Sequence, residues 1–181
     1  MKALIKLSVL VGVTALFASA GNLVAQENKP TKAICAVVPT EGNKCRGTVS
    51  FEAAGNGMVN VTASISGLNP NQKHAIHVHE FGDITNLTGM SAGGHYNPEK
   101  KPHGLPPAEE RHAGDLGNLT ADAEGKAMYK LTVKNISIAD HNSILGRAIV
   151  IHAMPDDGGQ PTGNAGGRIG FGVIGVAKSA D

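Results

Sequence analysis

The chain has 181 residues, of which 41% are hydrophobic and 3% aromatic, with no tryptophan and a formal net charge of +1. That length indicates one domain, with room for a short targeting segment. A nucleic-acid binder would be strongly basic and would offer aromatic rings for base stacking, so the composition disfavours that class. The 24 glycines are typical of a β-protein with tight turns.

The first twenty residues have the pattern of a signal peptide. Its basic start, apolar run and cleavage signal are Lys2 and Lys6, Leu7–Ala18, and Ala18-Ser19-Ala20. The run is too short to span a bilayer, which disfavours an uncleaved anchor. We expect cleavage near Ala20, export to a periplasmic or extracellular space, and no membrane anchor in the mature form. Cleavage would remove Lys2 and Lys6. The mature chain would then have 14 basic and 15 acidic residues, a net charge of about −1.

Eight short strands separated by turns follow, which predicts an all-β antiparallel barrel or sandwich. The domain is expected over residues 31–177, between a disordered segment at 21–30 and a tail at 178–181. The predicted strands are Ala33–Val38, Cys45–Ala53, Met58–Ser66, Lys73–Glu80, Gly114–Thr120, Ala127–Val133, Gly146–His152 and Ile169–Ala177. A short helical turn is expected within Asn135–Asn142.

Two stretches lack strand periodicity, and both are expected to be functional loops. The longer one runs from Phe81 to Ala113, and a glycine-rich one runs from Asp156 to Arg168. Loops beyond about 15 residues are uncommon in compact domains unless they carry function. The longer loop contains several candidate metal ligands, which would explain its order.

Cys35 and Cys45 are the only cysteines, and they flank a turn at Pro39–Gly42. In an oxidising compartment a disulfide between them is the expected state. The alternative is two buried thiols, if the hairpin register places them about 10 Å apart, beyond disulfide reach.

His77 and His79 lie two apart in a predicted strand, so both imidazoles point to the same face. When neutral, such a pair is a bidentate site for copper, zinc or nickel. His152 ends another predicted strand in the apolar run Ala-Ile-Val-Ile-His. Three imidazoles from two strands make a nitrogen-rich site that suits copper.

The long loop and the strand after it add His95, His103, His112 and Asp115. Three neutral imidazoles and one carboxylate form the closed tetrahedral set that zinc prefers in structural sites. Each histidine alone is more often a solvated surface residue, but the series makes that interpretation improbable. His74 is expected to be structural and His141 solvated.

Six segments together resemble the copper/zinc superoxide dismutases over Thr31–Ala177. They are His74–Asp83, Ser91–Pro98, Glu109–Asp122, Gly146–His152, Thr162–Arg168 and Gly172–Gly175. The resemblance implies an eight-stranded Greek-key barrel with a long metal-binding loop. It also implies dismutation of superoxide to dioxygen and hydrogen peroxide.

The resemblance also implies roles for particular residues. Copper would bind His77, His79, His95 and His152, and zinc would bind His95, His103, His112 and Asp115. His95 would bridge the metals and deliver a proton, and Asp156 would accept hydrogen bonds from His77 and His103. Arg168 would orient the superoxide anion, and Thr162 would narrow the channel opposite it.

The chain departs from the family at the intrasubunit disulfide, whose positions correspond to Gly89 and Phe171. We expect packing of Phe171, or a Cys35–Cys45 bond, to supply part of the missing stability. The glycine-rich loop is also short, and it lacks the charged cluster that guides superoxide in the animal and plant enzymes. Lys100, Lys101 or Arg111 are candidates for that task.

The resemblance further predicts a homodimer through apolar edges at Phe81-Gly82, Ile144–Gly146 and Val173–Val176, with a monomer as the alternative. Asn60, Asn86, Asn118 and Asn135 begin glycosylation sequons.

Two other functions compete with dismutation. A copper- and zinc-storage protein would typically lack a copper ligand or the channel arginine, and an adhesion sandwich would not need six aligned ligands.

Overall fold

The computed structural model describes residues 29–178. The predicted signal peptide, most of the predicted 21–30 segment and most of the tail lie outside the described residues. Within residues 29–178, no helix is long and apolar enough to cross a bilayer.

Eight strands form, each within two residues of its predicted bounds. They are β1 Lys32–Pro39, β2 Arg46–Ala53, β3 Val59–Ser66, β4 Lys73–His79, β5 Asp115–Thr120, β6 Ala127–Val133, β7 Ala148–His152 and β8 Arg168–Val176. A 3-10 helix, Met90–Ala92, lies in the long loop.

The helical turn expected within residues 135–142 is wrong. The segment consists of bends held by a bridge between Ser137 and Ser143. Ile136 and Ile138 are both buried, so the chain there extends to place two alternate side chains in the core instead of coiling.

The strands form one antiparallel sheet in the order β5-β4-β7-β8-β1-β2-β3-β6. The two end strands, β5 and β6, also meet, and the Tyr129 hydroxyl on β6 donates a hydrogen bond to the carbonyl of Leu116 on β5. The sheet is therefore nearly closed, which confirms the predicted eight-stranded Greek-key barrel.

β4 and β7 are buried on both faces, and this property positions the candidate ligands. The inward side chains of β4 and β7, such as Ile76 and Ile151, belong to the main core. The outward positions carry His77, His79 and His152, which are also buried. The long loop and the glycine-rich loop cover these outward positions, and the carbonyls of Gly93 and Gly166 in those loops accept from His79 and His152.

Cys35 and Cys45 are separate buried thiols, so the predicted disulfide is wrong. The β1–β2 register pairs Cys35 with Val49 and Val37 with Gly47. Continued by two residues, it places Cys45 opposite Pro39, which is four residues from Cys35. At about 3.3 Å per residue this is roughly 13 Å, well beyond disulfide reach. Burial raises the pKa of each thiol to about 12.

The long loop is attached to the barrel without a covalent bond. Phe171 is buried in a small cluster with Ala92, Ala148 and Val150, which joins the 3-10 helix to β7 and β8. The Thr40 hydroxyl donates to the Arg168 carbonyl over 2.7 Å, and the Glu41 N–H donates to the Leu87 carbonyl over 2.9 Å. Phe171 therefore packs against the loop as expected, and the β1–β2 turn provides the second attachment.

Candidate metal centre

Four imidazoles converge on the outer face of β4 and β7. His77 and His79 come from β4 and His152 from the end of β7, which pairs with β4. An isolated bridge between His79 and His95 brings the loop histidine to the same place. One ring nitrogen from each of the four residues lies within 4.8 Å of the others, and all four residues are buried. We call these residues the open set: His77, His79, His95 and His152.

Hydrogen bonds assign the tautomers of three open-set rings. His79 Nδ1 donates to the Gly93 carbonyl over 3.0 Å, and His152 Nδ1 donates to the Gly166 carbonyl over 3.3 Å. His77 Nε2 donates to Asp156 over 2.8 Å. Because carbonyls and ionised carboxylates only accept, each of these nitrogens carries the proton.

The opposite ring nitrogens are therefore lone pairs. His77 Nδ1, His79 Nε2 and His152 Nε2 are buried without any hydrogen-bond partner. Buried polar atoms in native proteins almost always have a partner, so three orphaned acceptors aimed at one place fit a bound cation.

Burial also keeps three rings of the open set, those of His77, His79 and His152, uncharged. Removal from water lowers the pKa of His77 and His79 well below the ordinary value, and neighbouring imidazoles add to the effect. Burial lowers the pKa of His152 to about 4. The three rings are neutral at pH 7, which is the form that ligates a metal.

A second cluster consists of His95, His103, His112 and Asp115, whose ligand atoms also lie within 4.8 Å of one another. We call it the closed set. Asp115 Oδ1 lies 3.0 Å from His95 Nδ1 and 3.3 Å from His112 Nδ1, and Oδ2 lies 3.0 Å from His103 Nδ1. The Nδ1 atoms of His95 and His112 are 3.4 Å apart. A tetrahedron with zinc–ligand bonds of about 2.0–2.1 Å has edges of about 3.3 Å, and the spacings among Asp115 Oδ1, His95 Nδ1 and His112 Nδ1 fit such edges.

The long loop is ordered around the Asp115 carboxylate, which is fully buried. The backbone N–H groups of Gly104 and His112 donate to Oδ2 over 3.1 and 2.9 Å. Burial alone would raise the pKa of Asp115, but hydrogen bonds from the His95 ring and the Gly104 N–H lower it overall. Asp115 is therefore an anion facing three imidazoles.

Asp156 connects the two sets. It is buried, and its Oδ2 accepts from His77 Nε2 over 2.8 Å while its Oδ1 accepts from His103 Nε2 over 2.9 Å. These are the two hydrogen bonds that the resemblance implied. Each one leaves the Nδ1 atom of its ring free to face a metal.

Asn118 holds Asp156 in place, a role that sequence reasoning missed. Its side-chain amide donates to the Asp156 carbonyl over 2.9 Å, and its side-chain oxygen accepts from the Asp156 N–H over 2.7 Å. Asn135 similarly donates to the backbone carbonyls of His112 and Ala113. The side chains at two of the four sequons are thus engaged inside the fold. No local pattern distinguished Asn118 from the other sequon asparagines.

The remaining predicted residues separate into buried and exposed ones. His74 Nδ1 donates to the His152 carbonyl and His74 Nε2 accepts from the Asn69 N–H, so it supports the strands and lies outside both sets. His141 is exposed. Arg111 is buried and donates to the Asp115 backbone carbonyl and to the Asn135 side-chain oxygen. It therefore stabilises the loop instead of facing solvent, where it could guide an anion.

A cavity of about 730 Å³ opens above the open set. Its walls include Arg168, Thr162, Met90 and the rings of His79, His95 and His152. The Arg168 guanidinium donates to the Gly89 carbonyl over 2.5 Å and to the Gly93 carbonyl over 2.6 Å. The Gly93 carbonyl also accepts a hydrogen bond from His79 Nδ1, so the guanidinium and a ring of the open set share one acceptor.

Comparisons with known proteins agree with this geometry. A family model described as copper/zinc superoxide dismutase matches residues 45–174. A solved structure titled as the clock protein EA4 is 39% identical, with a TM-score of 0.75, and the match covers 82% of this chain and 96% of that one.

Proposed function

The chain belongs to the copper/zinc superoxide dismutase family, and from this premise we propose that it dismutes superoxide to dioxygen and hydrogen peroxide as an antioxidant defence. One observation carries the proposal. The open set has three orphaned imidazole nitrogens and lies on a cavity whose wall includes the Arg168 cation. A buried storage site would need neither the cavity nor the cation.

The residues fit two different metals. His77, His79, His95 and His152 would hold copper, and His95, His103, His112 and Asp115 would hold zinc. The orphaned nitrogens support the first assignment and the tetrahedral spacings support the second. Copper would supply one-electron redox chemistry, and zinc, which has no redox chemistry, would stabilise the closed set.

Arg168 would bind the superoxide anion at the cavity wall. Burial lowers the pKa of its guanidinium, but an arginine remains a cation at neutral pH. Its hydrogen bonds to Gly89 and Gly93 fix the direction of the guanidinium before substrate arrives. Binding then costs little side-chain entropy, because the group is already ordered. Thr162 would limit the size of the anion from another part of the wall.

His95 would supply a proton, since it is the one residue common to both sets. Its Nδ1 faces Asp115 across 3.0 Å, so Nε2 is the nitrogen left for the open set. Two superoxide anions and two protons yield one dioxygen and one hydrogen peroxide. We assign to His95 Nε2 the task of holding one of those protons beside the anion that Arg168 orients.

Metal analysis combined with a superoxide-decay assay tests the proposal. The purified protein should contain copper and zinc and should accelerate superoxide decay. His152→Ala should reduce the acceleration to background while zinc is retained. His141→Ala, an exposed histidine, is the matched control and should behave as the unmodified protein. Full activity of His152→Ala would contradict the copper assignment.

A non-catalytic metal-binding or storage function is the second candidate. The observation in its favour is that a structure 39% identical to this chain is titled a clock protein, not a dismutase. In that case the protein would hold both metals and leave superoxide decay at background.

We also propose a homodimer, as is common in the family. The Gly82 backbone lies against the Gly146 carbonyl and the Val173 side chain, so the three predicted edges form one surface. Phe81 is 58% exposed and Val176 is 62% exposed, whereas Ile144 is fully buried and belongs to the core instead of the surface. Light scattering should give twice the chain mass, and Phe81→Asp should shift it toward the monomer. A monomeric unmodified protein would contradict the proposal.

Export is a further proposal, supported by the basic start, the short apolar run and the Ala18-Ser19-Ala20 signal. The mature protein should begin near Gly21 and should be found in a periplasmic or extracellular fraction. N-terminal sequencing checks the cleavage position. A chain that retains Met1 in the cytosol would contradict this proposal.

A further inference from the structure

Met90 is an exposed apolar residue that the proposed reaction does not use. It is 62% exposed, and it lines the cavity together with His79, His95 and His152. Its backbone is held in place, because Arg168 donates to the carbonyls of Gly89 and Gly93 on either side of the 3-10 turn. Ala92, on the same 3-10 turn, is buried against Phe171. The fold thus holds a thioether at the wall that leads to three orphaned imidazole nitrogens.

A metal ion entering this cavity meets unfavourable electrostatics. Arg168 is the one permanently charged residue among those lining the cavity, and it is a cation. The other lining residues are His79, Thr88, Met90, Gly94, His95, His152, Thr162, Asn164, Ala165, Gly166 and Gly167. The repulsion that suits an anionic substrate opposes the metal, and a divalent ion experiences it twice as strongly as a monovalent one. The Arg168 charge therefore favours entry of Cu(I) over Cu(II) or Zn²⁺.

A thioether adds a second preference in the same direction. Soft sulfur ligands select Cu(I), whereas imidazole and carboxylate ligands bind zinc and copper in several states. Methionine is also flexible and uncharged, so it can contact an ion at the wall and release it to a stronger site.

We propose that Met90 is the entry ligand for Cu(I), which it passes to the orphaned nitrogens of the open set. The inference rests on the proposed copper function of that set and adds to it the oxidation state and the route of loading. The step exchanges a sulfur ligand for imidazole nitrogens, so no electron or proton is transferred. It also explains how copper and zinc reach different sets: the wall disfavours a divalent ion, while the closed set presents the Asp115 anion.

The test measures Cu(I) uptake by the zinc-loaded full chain without oxygen, from a coloured Cu(I)–bicinchoninate complex. Loss of the complex's absorbance gives the transfer rate. Met90→Leu keeps the size and apolar character but removes the sulfur. We expect it to slow Cu(I) transfer by roughly tenfold, the lower end of what residues beyond the direct ligands contribute. Met128→Leu is the matched control, because Met128 is 74% exposed on β6 and does not line this cavity.

Parallel loading with Cu(II) separates a ligand role from a structural one. A thioether gives Cu(II) little advantage, so Met90→Leu should take up Cu(II) at the unmodified rate. Equal Cu(I) rates for Met90→Leu and the unmodified protein would overturn the inference while leaving the copper site intact. Equal slowing of Cu(I) and Cu(II) would also overturn it, by showing a distorted cavity. Absence of copper uptake by the unmodified protein would overturn the proposed function and this inference together.

Discussion

The open and closed sets share His95 and are joined by Asp156, yet they differ in what completes them. In the closed set a buried carboxylate faces three imidazoles at 3.0–3.3 Å. The open set has only imidazoles. Three of its residues, His79, His95 and His152, line the cavity together with Arg168. Structural zinc sites are closed and catalytic metal sites keep an open position. The same barrel face thus carries one set built around a carboxylate and one set beside a cavity.

The covering loops create this difference, since both sets lie beside the same strands. The long loop supplies His103, His112 and the backbone N–H groups that order the Asp115 carboxylate at the start of β5. The glycine-rich loop instead contributes Gly166, Gly167 and Thr162 to a cavity wall. The long loop therefore packs closely on the closed set, whereas this part of the glycine-rich loop leaves a cavity beside the open set.

The largest expected effect on the difference between the two sets comes from removing the charge of the Asp115 carboxylate. Asp115→Asn keeps the shape but removes the negative charge from the three imidazoles. We expect zinc affinity to fall by more than about a hundredfold, beyond what outer-shell partners usually contribute. Copper binding to the open set should persist. Competition titrations with zinc and Cu(I) chelators measure both, and equal loss of the two metals would show that the sets are not independent.

Acid should destabilise the metal-free protein through the open set. The folded-state pKa of His152 is about 4, against an ordinary value of 6.5, so between these values the unfolded chain binds a proton that the folded chain does not. The stability present above pH 6.5 is therefore lost as pH falls, by about 3 kcal/mol for this one residue by pH 4.

Denaturant unfolding of the metal-free protein between pH 7.5 and 5 measures this slope. His152→Gln, which cannot titrate, should reduce the slope by the share of one residue, whereas His141→Gln should leave it unchanged. A stability that does not fall over this range would contradict the neutral, buried state of the ring.

Loss of the shared carboxylate should weaken both sets together. Asp156→Ala removes the hydrogen-bond acceptor of both His77 and His103, so each ring loses its orientation. We expect affinity for copper and for zinc to fall by about 10- to 100-fold each. Asp157→Ala is the matched control, because this neighbouring carboxylate is exposed and contacts neither ring. An effect on one metal alone would assign Asp156 to a single set.

The smallest expected effect is that of reductant. Cys35 and Cys45 are free, and residues 29–178 contain no disulfide, so thermal unfolding with and without reductant should give the same midpoint. A reductant-dependent shift would show that a disulfide supports the long loop after all. The Phe171 cluster and the Thr40 turn would then be secondary attachments.

Local patterns predicted much of this fold. Alternation of apolar residues located all eight strands within two residues, and the spacing of His77 and His79 placed two imidazoles on one face. The other ligands were recognised because their segments resemble a known family. The face a strand residue points to depends on its immediate neighbours, so a short window of sequence is enough to predict it.

Interactions between distant segments were harder to predict. The Cys35–Cys45 pairing failed because it depends on hairpin register, and register is decided by the packing of the whole sheet. Arg111 reads as a surface cation, but the loop folds it inward onto Asn135. Asn118 holds the backbone of Asp156, which lies 38 positions away in the chain.

The sequence by itself determined the strands, the ligand types and the family, because these depend on residue chemistry and local spacing. Only the tertiary structure decided which nitrogens are left as lone pairs and which set is open to the cavity. It also decided which residues hold the loop where a disulfide is missing. Those properties depend on hydrogen bonds and burial between segments far apart in the chain, which meet only when the barrel closes.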